Sequence, residues 1–132
     1  MSDSRYSIPT RWQDLDGNGH VNHAVVFTYL EEARDTFLRE HEIDRDEYLV
    51  GRCAVEFTGE IVPGEEAVRV EIGVRDLGTK SLRTAERIYD PAGEPVVEAE
   101  FGLVLWDPVA RATRAITDAE RASLSRSEVV RG

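Results

Sequence analysis

Apolar residues repeat at helical spacing once along this chain and at strand spacing over most of its remaining length. From Asn22 onward they fall at Val26, Tyr29, Leu30, Ala33, Phe37 and Leu38, the three-and-four rhythm of one buried helix face. Glu31, Glu32, Asp35, Arg39 and Glu40 lie largely off that face. The pattern predicts a helix of about 18 residues with Asn22 as its N-cap, long enough to lie across a whole sheet. His41 to Tyr48 is a polar connection with room for a helical turn, and the period then changes to two. Cys53 to Phe57 opens a strand, Pro63-Gly64-Glu65 turns the chain, and Val68, Val70, Ile72 and Val74 alternate along one face of the clearest strand in the sequence. Asp76 to Thr79 reads as a turn, Ser81 to Tyr89 as a strand, Asp90 to Pro95 as a turn, and Val96 to Trp106 as the last long strand. Ahead of the helix, Ser4 to Gln13 has the character of an edge strand bounded or interrupted by Pro9. Thr117 is placed to cap a short terminal helix, and Ser125 to Gly132 is expected to fray.

Strands joined by short turns favour antiparallel hairpins, because parallel crossovers would need a helix between successive strands. The expected fold class is therefore α+β, one long helix on an antiparallel sheet. At 132 residues, with no internal repeat and no linker, the chain is expected to form a single domain over 1–132.

Composition narrows the function classes. The 41% hydrophobic and 32% charged content is that of a globular protein. No apolar run approaches the roughly 20 residues that span a bilayer. Met1-Ser2-Asp3-Ser4-Arg5 has no basic region followed by an apolar one, and Cys53 has no second cysteine to pair with, so a cytoplasmic location is expected. A net charge of -10 argues against a nucleic-acid partner, since phosphate contacts need clustered basic residues. Lys80 is the one lysine among 16 basic residues. That excess of carboxylates, with arginine in place of lysine, resembles proteins of salt-loving organisms; a plain compositional bias is the alternative.

Candidate chemistry crowds into Arg11 to His23, where two carboxylates, two imidazoles and two glycines precede the helix start. Groups that exchange protons are thereby set beside the backbone N–H groups that a helix N-terminus leaves unpaired, an arrangement suited to reaction at a carbonyl. Asp14 to Gly19 also matches the opening of a calcium-binding EF-hand loop. Its twelfth position would be Val25, which offers no bidentate carboxylate, and a strand precedes it. Zinc on His20 and His23 lacks further ligands. No metal and no cofactor are expected.

Arg11-x-x-Asp14-x-Asp16-x-x-Gly19-His20-Val21-Asn22, followed by Tyr29-x-Glu31-x-Ala33-Arg34-x-x-Phe37-Leu38, resembles the hotdog-fold acyl-CoA thioesterases, the 4-hydroxybenzoyl-CoA thioesterase-like family. The resemblance covers most of the chain. Phe57 through Pro63-Gly64-Glu65, Gly78-x-Lys80-Ser81 and Leu105-Trp106-Asp107-Pro108 follow the family's later strands and turns in order. It implies an antiparallel sheet wrapped around the long helix, and a homodimer or homotetramer with active sites at subunit interfaces. It also implies hydrolysis of an acyl-CoA thioester to a carboxylic acid and free coenzyme A.

Carried over residue by residue, the resemblance makes Asp16 the catalytic carboxylate, as general base or as nucleophile. The backbone N–H of His23 then polarises the thioester carbonyl. The alternative for Asp16 is a turn aspartate before Gly17. The His23 side chain has two open roles, orienting water or substrate, or satisfying local hydrogen bonds. Asp14, His20 and Asn22 are read as turn and cap residues, and Tyr29, Glu31 and Arg34 as packed or solvated helix positions.

Two departures stand out. Glu60 occupies a position where relatives commonly carry proline, and basic residues for the phosphates of coenzyme A are sparse, with Lys80, Arg83 and Arg87 the candidates. Two other functions remain open. One is a hotdog enoyl-CoA hydratase or dehydratase, although Gly19 replaces the proline of that group's D-x-N-P-x-H segment and the histidine arrives one residue early. The other is a non-catalytic acyl-ligand-binding protein.

Overall fold

The structure, a computed structural model, describes residues 4–10, 23–61 and 67–127. Its elements are β1 (Ser4–Pro9), α1 (His23–Glu40), a 3-10 turn (Arg45–Glu47), β2 (Tyr48–Phe57), β3 (Ala67–Leu77), β4 (Ser81–Tyr89), β5 (Pro95–Asp107), β6 (Ala112–Thr113) and α2 (Asp118–Ser125). The sheet runs in the order β1-β3-β4-β5-β2, antiparallel throughout, with β6 beside β5.

The three-and-four stripe is the face that α1 buries: Val26, Tyr29, Leu30, Ala33, Phe37 and Leu38 are all closed off from solvent. They pack on the alternating inner residues of β3, Val68 to Val74, and on Leu82, Ile88, Leu103 and Leu105 of β4 and β5. The helix ends where Glu42 turns into the left-handed region at φ 63°. The Ile43 N–H reaches back to the Leu38 carbonyl at 2.9 Å and the Ile43 side chain is buried, which closes the last turn in a Schellman-type cap. At the far end of the chain, Thr117 caps α2 by accepting from the Glu120 N–H, and the Glu120 carboxylate accepts in turn from the Thr117 N–H.

β3 runs on to Leu77, through residues expected to form a turn, and β6 has no counterpart among the expected strands. Two further boundaries differ from expectation. β2 begins at Tyr48 rather than Cys53, because its register against β5 shifts between Val50 and Arg52. Gly51 is the inserted residue, and it returns Cys53, Val55 and Phe57 to the face already occupied by Tyr48 and Val50, a step that breaks the period-two pattern in the sequence. The second difference concerns the C-terminal stretch. Ser125 closes α2, Leu124 is fully buried, and the Ser127 carbonyl accepts the Val74 N–H at 2.8 Å, so the chain is still fastened to β3 there. Residues 128–132 lie outside the described residues. β1 ends at Pro9 and, among the described residues, pairs with β3 alone, an edge position that tolerates proline. Among the described residues, no helix is long and apolar enough to cross a membrane.

Candidate active site

His23 is the first residue of α1, and the first turn of that helix holds no carboxylate to neutralise the N-terminal dipole. The N-terminus of a helix carries partial positive charge on its leading amides, suited to an oxygen that gains charge during reaction. The His23 side chain is exposed and meets Phe57, the last residue of β2, edge-on, with ring centroids 5.9 Å apart.

Cross-strand partners share a face, so the register of β2 against β5 fixes what lies beside His23. Val50, Cys53, Val55 and Phe57 stand opposite Leu103, Phe101, Ala99 and Val97, on the side of the sheet that α1 covers. The helix meets β2 at Tyr48 and Phe57 and leaves most of the strand between them uncovered. Val50 and Phe57 are each 47% exposed, Cys53 is exposed, and Phe27 projects from α1 at 39% exposure. An apolar lane therefore runs along β2 and ends under the imidazole of His23.

Below the middle of α1 lies a pair of buried charges. Arg34 donates Nε to Glu86 Oε2 at 2.8 Å and Nη2 to Glu86 Oε1 at 2.9 Å, while Thr84 Oγ1 donates to Glu86 Oε2 at 2.7 Å. The Arg34 guanidinium carbon sits 3.7 Å from the centre of the Phe101 ring. Burial works against the charge on Arg34, but the hydrogen bonds and charge of Glu86 outweigh it and hold the guanidinium pKa above its ordinary value. The neighbouring Asp35 accepts a hydrogen bond from Tyr48 on β2. Burial first, and that bond second, push the Tyr48 phenol well above its usual range, so it stays a donor.

The model of the thioesterase-like superfamily matches residues 10–124. This chain belongs to that superfamily. The acyl-CoA thioester hydrolase YbgC of Escherichia coli is 25% identical over 121 residues, covering 85% of this chain and 88% of that protein. A candidate thioesterase of Pseudomonas aeruginosa is 30% identical, covers 90% of this chain and 95% of its own, and superposes with a TM-score of 0.81. A Thermus thermophilus thioesterase crystallised with coenzyme A and zinc is 29% identical, covers 91% and 95%, and gives a TM-score of 0.75. The antiparallel sheet with its long helix is accordingly the hotdog fold of thioesterases.

Of the site residues expected from the sequence, the structure describes four. His23 stands at the end of the apolar lane. Asp16 lies outside the described residues, as do Asp14, His20 and Asn22. Lys80, Arg83 and Arg87 are exposed. Arg83 and Arg87 alternate with the buried Leu82, Thr84, Glu86 and Ile88, so they project from the opposite face of the sheet. Carboxylates hold both of them there. Arg83 binds Asp76 and reaches Glu100 at 3.2 Å, and Arg87 pairs with Glu98 at 3.1 Å. Lys80 lies in the β3–β4 turn.

Three features are not evident from the sequence. The period-two pattern places Phe57 in a strand and gives it no part in the site. Arg34 looks packed or solvated without its partner, although it sits four residues from both Leu30 and Leu38 on the buried stripe, and Glu86 shares the buried parity of β4. Arg52 falls ahead of the expected start of β2. Its stem lies over Gly102, where a Cβ would come within 2.6 Å of Arg52 Cγ. Arg52 and Arg83 thus flank Gly102 in one cross-strand row, at the floor of an outer-face groove of about 580 Å³.

Proposed function

We propose that this chain hydrolyses acyl-CoA thioesters, with Asp16 as the reacting carboxylate and the His23 N–H as the donor that polarises the carbonyl. The observation that carries the reading is the meeting of α1's N-terminus with the apolar lane of β2 in a chain of the thioesterase-like superfamily. An acyl chain lying along Val50, Val55 and Phe57 brings its thioester carbonyl toward the first turn of α1. Attack at the acyl carbon moves electron density onto the carbonyl oxygen, where preorganised amide donors are most effective. Water supplies the oxygen that bonds to the acyl carbon, the C–S bond breaks, and the sulfur departs with a proton as free coenzyme A. Asp16 either takes the proton from that water or attacks first to form an anhydride that water then opens.

The working unit is a homodimer or a homotetramer of dimers. Among the described residues β2 pairs with β5 alone, which leaves its other edge open, and Leu49, Val50 and Phe57 along it are partly exposed. An open, apolar edge strand is a surface that pairing with a second copy would cover. In such an assembly, phosphate contacts from Lys80, Arg83 or Arg87 come from a neighbouring protomer, since Arg83 and Arg87 face away from His23 in their own. The reaction belongs in the cytoplasm, where Cys53 stays reduced.

Turnover of a panel of aliphatic and aromatic acyl-CoAs tests the reading. Many moles of thiol and acid released per mole of protein are expected. Stoichiometric binding without release would favour an acyl-ligand-binding protein, and water addition to an enoyl-CoA without thiol release would favour a hydratase.

A further inference from the structure

A buried ion pair between a helix and a sheet is an expensive way to hold them together. Removing two charges from water costs most of what their attraction returns, and apolar side chains of similar volume commonly hold a fold as well or better. Around it the buried face of α1 is mainly apolar, with Leu30, Ala33, Phe37 and Leu38 fully buried on strand residues of the same kind. Such contacts are strong but weakly directional, so they allow a helix to roll or slide by small amounts. The Arg34–Glu86 contact is different. Two parallel N–H donors meet two carboxylate oxygens at 2.8 and 2.9 Å, Thr84 fixes the carboxylate from below, and Phe101 supports the guanidinium plane. That geometry has one solution, and it ties the middle of α1 to β4 and β5.

We infer that Arg34 and Glu86 are positioning residues, which set the register of α1 on the sheet and thereby hold its N-terminal amides against the acyl lane at Phe57. The inference rests on the thioesterase reading for its effect on rate. Eleven residues separate Arg34 from His23, about 17 Å of helix, so a pivot of about 5° at the ion pair carries the N-terminus roughly 1.5 Å. Misplacement by ~1 Å can lower a rate ~100-fold. The adjacent Asp35 bond from Tyr48 ties the same helical turn to β2, the strand that ends at Phe57. The ion pair thus fixes the helix on the middle of the sheet, and the Asp35–Tyr48 bond links the same turn to the strand that carries the lane.

The test replaces both charges and the threonine together, as Arg34→Met with Thr84→Val and Glu86→Leu, so that no buried charge is left unpaired and Tyr48 keeps its bond to Asp35. The expected outcome is a thermal midpoint equal to or above that of the native chain, kcat lower by about tenfold or more, KM within about twofold, and a weakened nuclear Overhauser contact between the His23 and Phe57 rings. A folded triple variant with native kcat and an intact ring contact overturns the inference. Should the triple variant fail to fold, the decision passes to Arg34→Lys, which keeps a buried charge but loses the paired donors. There, a fall in kcat at unchanged midpoint and KM supports positioning, and an unchanged kcat overturns it. If the native chain releases no thiol from any acyl-CoA, the functional reading fails instead, and the ring contact in the variants still decides the inference.

Discussion

His23 and Phe57 stand edge to face with centroids 5.9 Å apart and ring planes at 78°, joining the first residue of α1 to the last residue of β2. This contact marks where the donor end of the helix meets the apolar lane. On the proposed reading, Phe57→Ala removes the wall of the lane beside the thioester carbonyl while leaving the backbone amides in place. The substitution is expected to raise KM for acyl-CoAs about 3- to 10-fold with a smaller change in kcat. Because Phe57 is 47% exposed, stability is expected to fall by no more than ~1 kcal/mol. Steady-state kinetics and chemical unfolding of the same preparation measure both.

His41 couples pH to stability. Burial lowers its pKa below the ordinary 6.5, Glu40 works the other way, and Arg126 lowers it further. Its Nδ1 lies 2.6 Å from Ser123 Oγ, so the neutral ring joins α1 to α2. In the unfolded chain the imidazole takes up its proton near the ordinary value, whereas in the fold it does so only at lower pH. Between those two values the unfolded state binds more protons, so stability falls as pH drops below about 6.5 and levels off beneath the folded pKa. His41→Gln is expected to remove that slope, which urea unfolding across a pH series would record.

Glu42 holds a left-handed backbone at φ 63° in the cap of α1, a place where glycine is the usual occupant. Relief of the Cβ clash outweighs the extra chain entropy of glycine at such a site. Glu42→Gly is therefore expected to stabilise the chain by about 0.5–1 kcal/mol, with a matching rise in thermal midpoint and no change in thiol release. A lower midpoint would mean that the Glu42 side chain makes a larger contribution than the cap.

Much of this architecture can be read in the chain itself, because the signals are local. The stripe from Val26 to Leu38 marks the length of α1, the turns at Gly78 and Gly93 bracket β4 at Ser81 and Tyr89, and Thr117 with Glu120 announces α2. What stays hidden depends on register. The inserted Gly51 breaks the alternation of β2, so its first half looks like connection. Arg34 and Glu86 carry residue types that suggest solvent, and only the pairing of helix and strand shows that they neutralise each other. The same holds for Arg83 and Arg87, whose charges look available until the cross-strand positions of Glu100 and Glu98 are known. Asp16 is a different matter. Its role comes from the motif and its family resemblance, and it lies outside the described residues.

The proposed assignment of the reacting carboxylate is therefore decided at Asp16. Free-thiol release from an accepted acyl-CoA should be compared between the native chain and Asp16→Asn, with the oligomeric state of each measured alongside. A fall in kcat of at least ~100-fold is expected, in a variant that keeps its assembly and its affinity for substrate. Equal rates of release in the two proteins would contradict the assignment and move the chemistry to another residue.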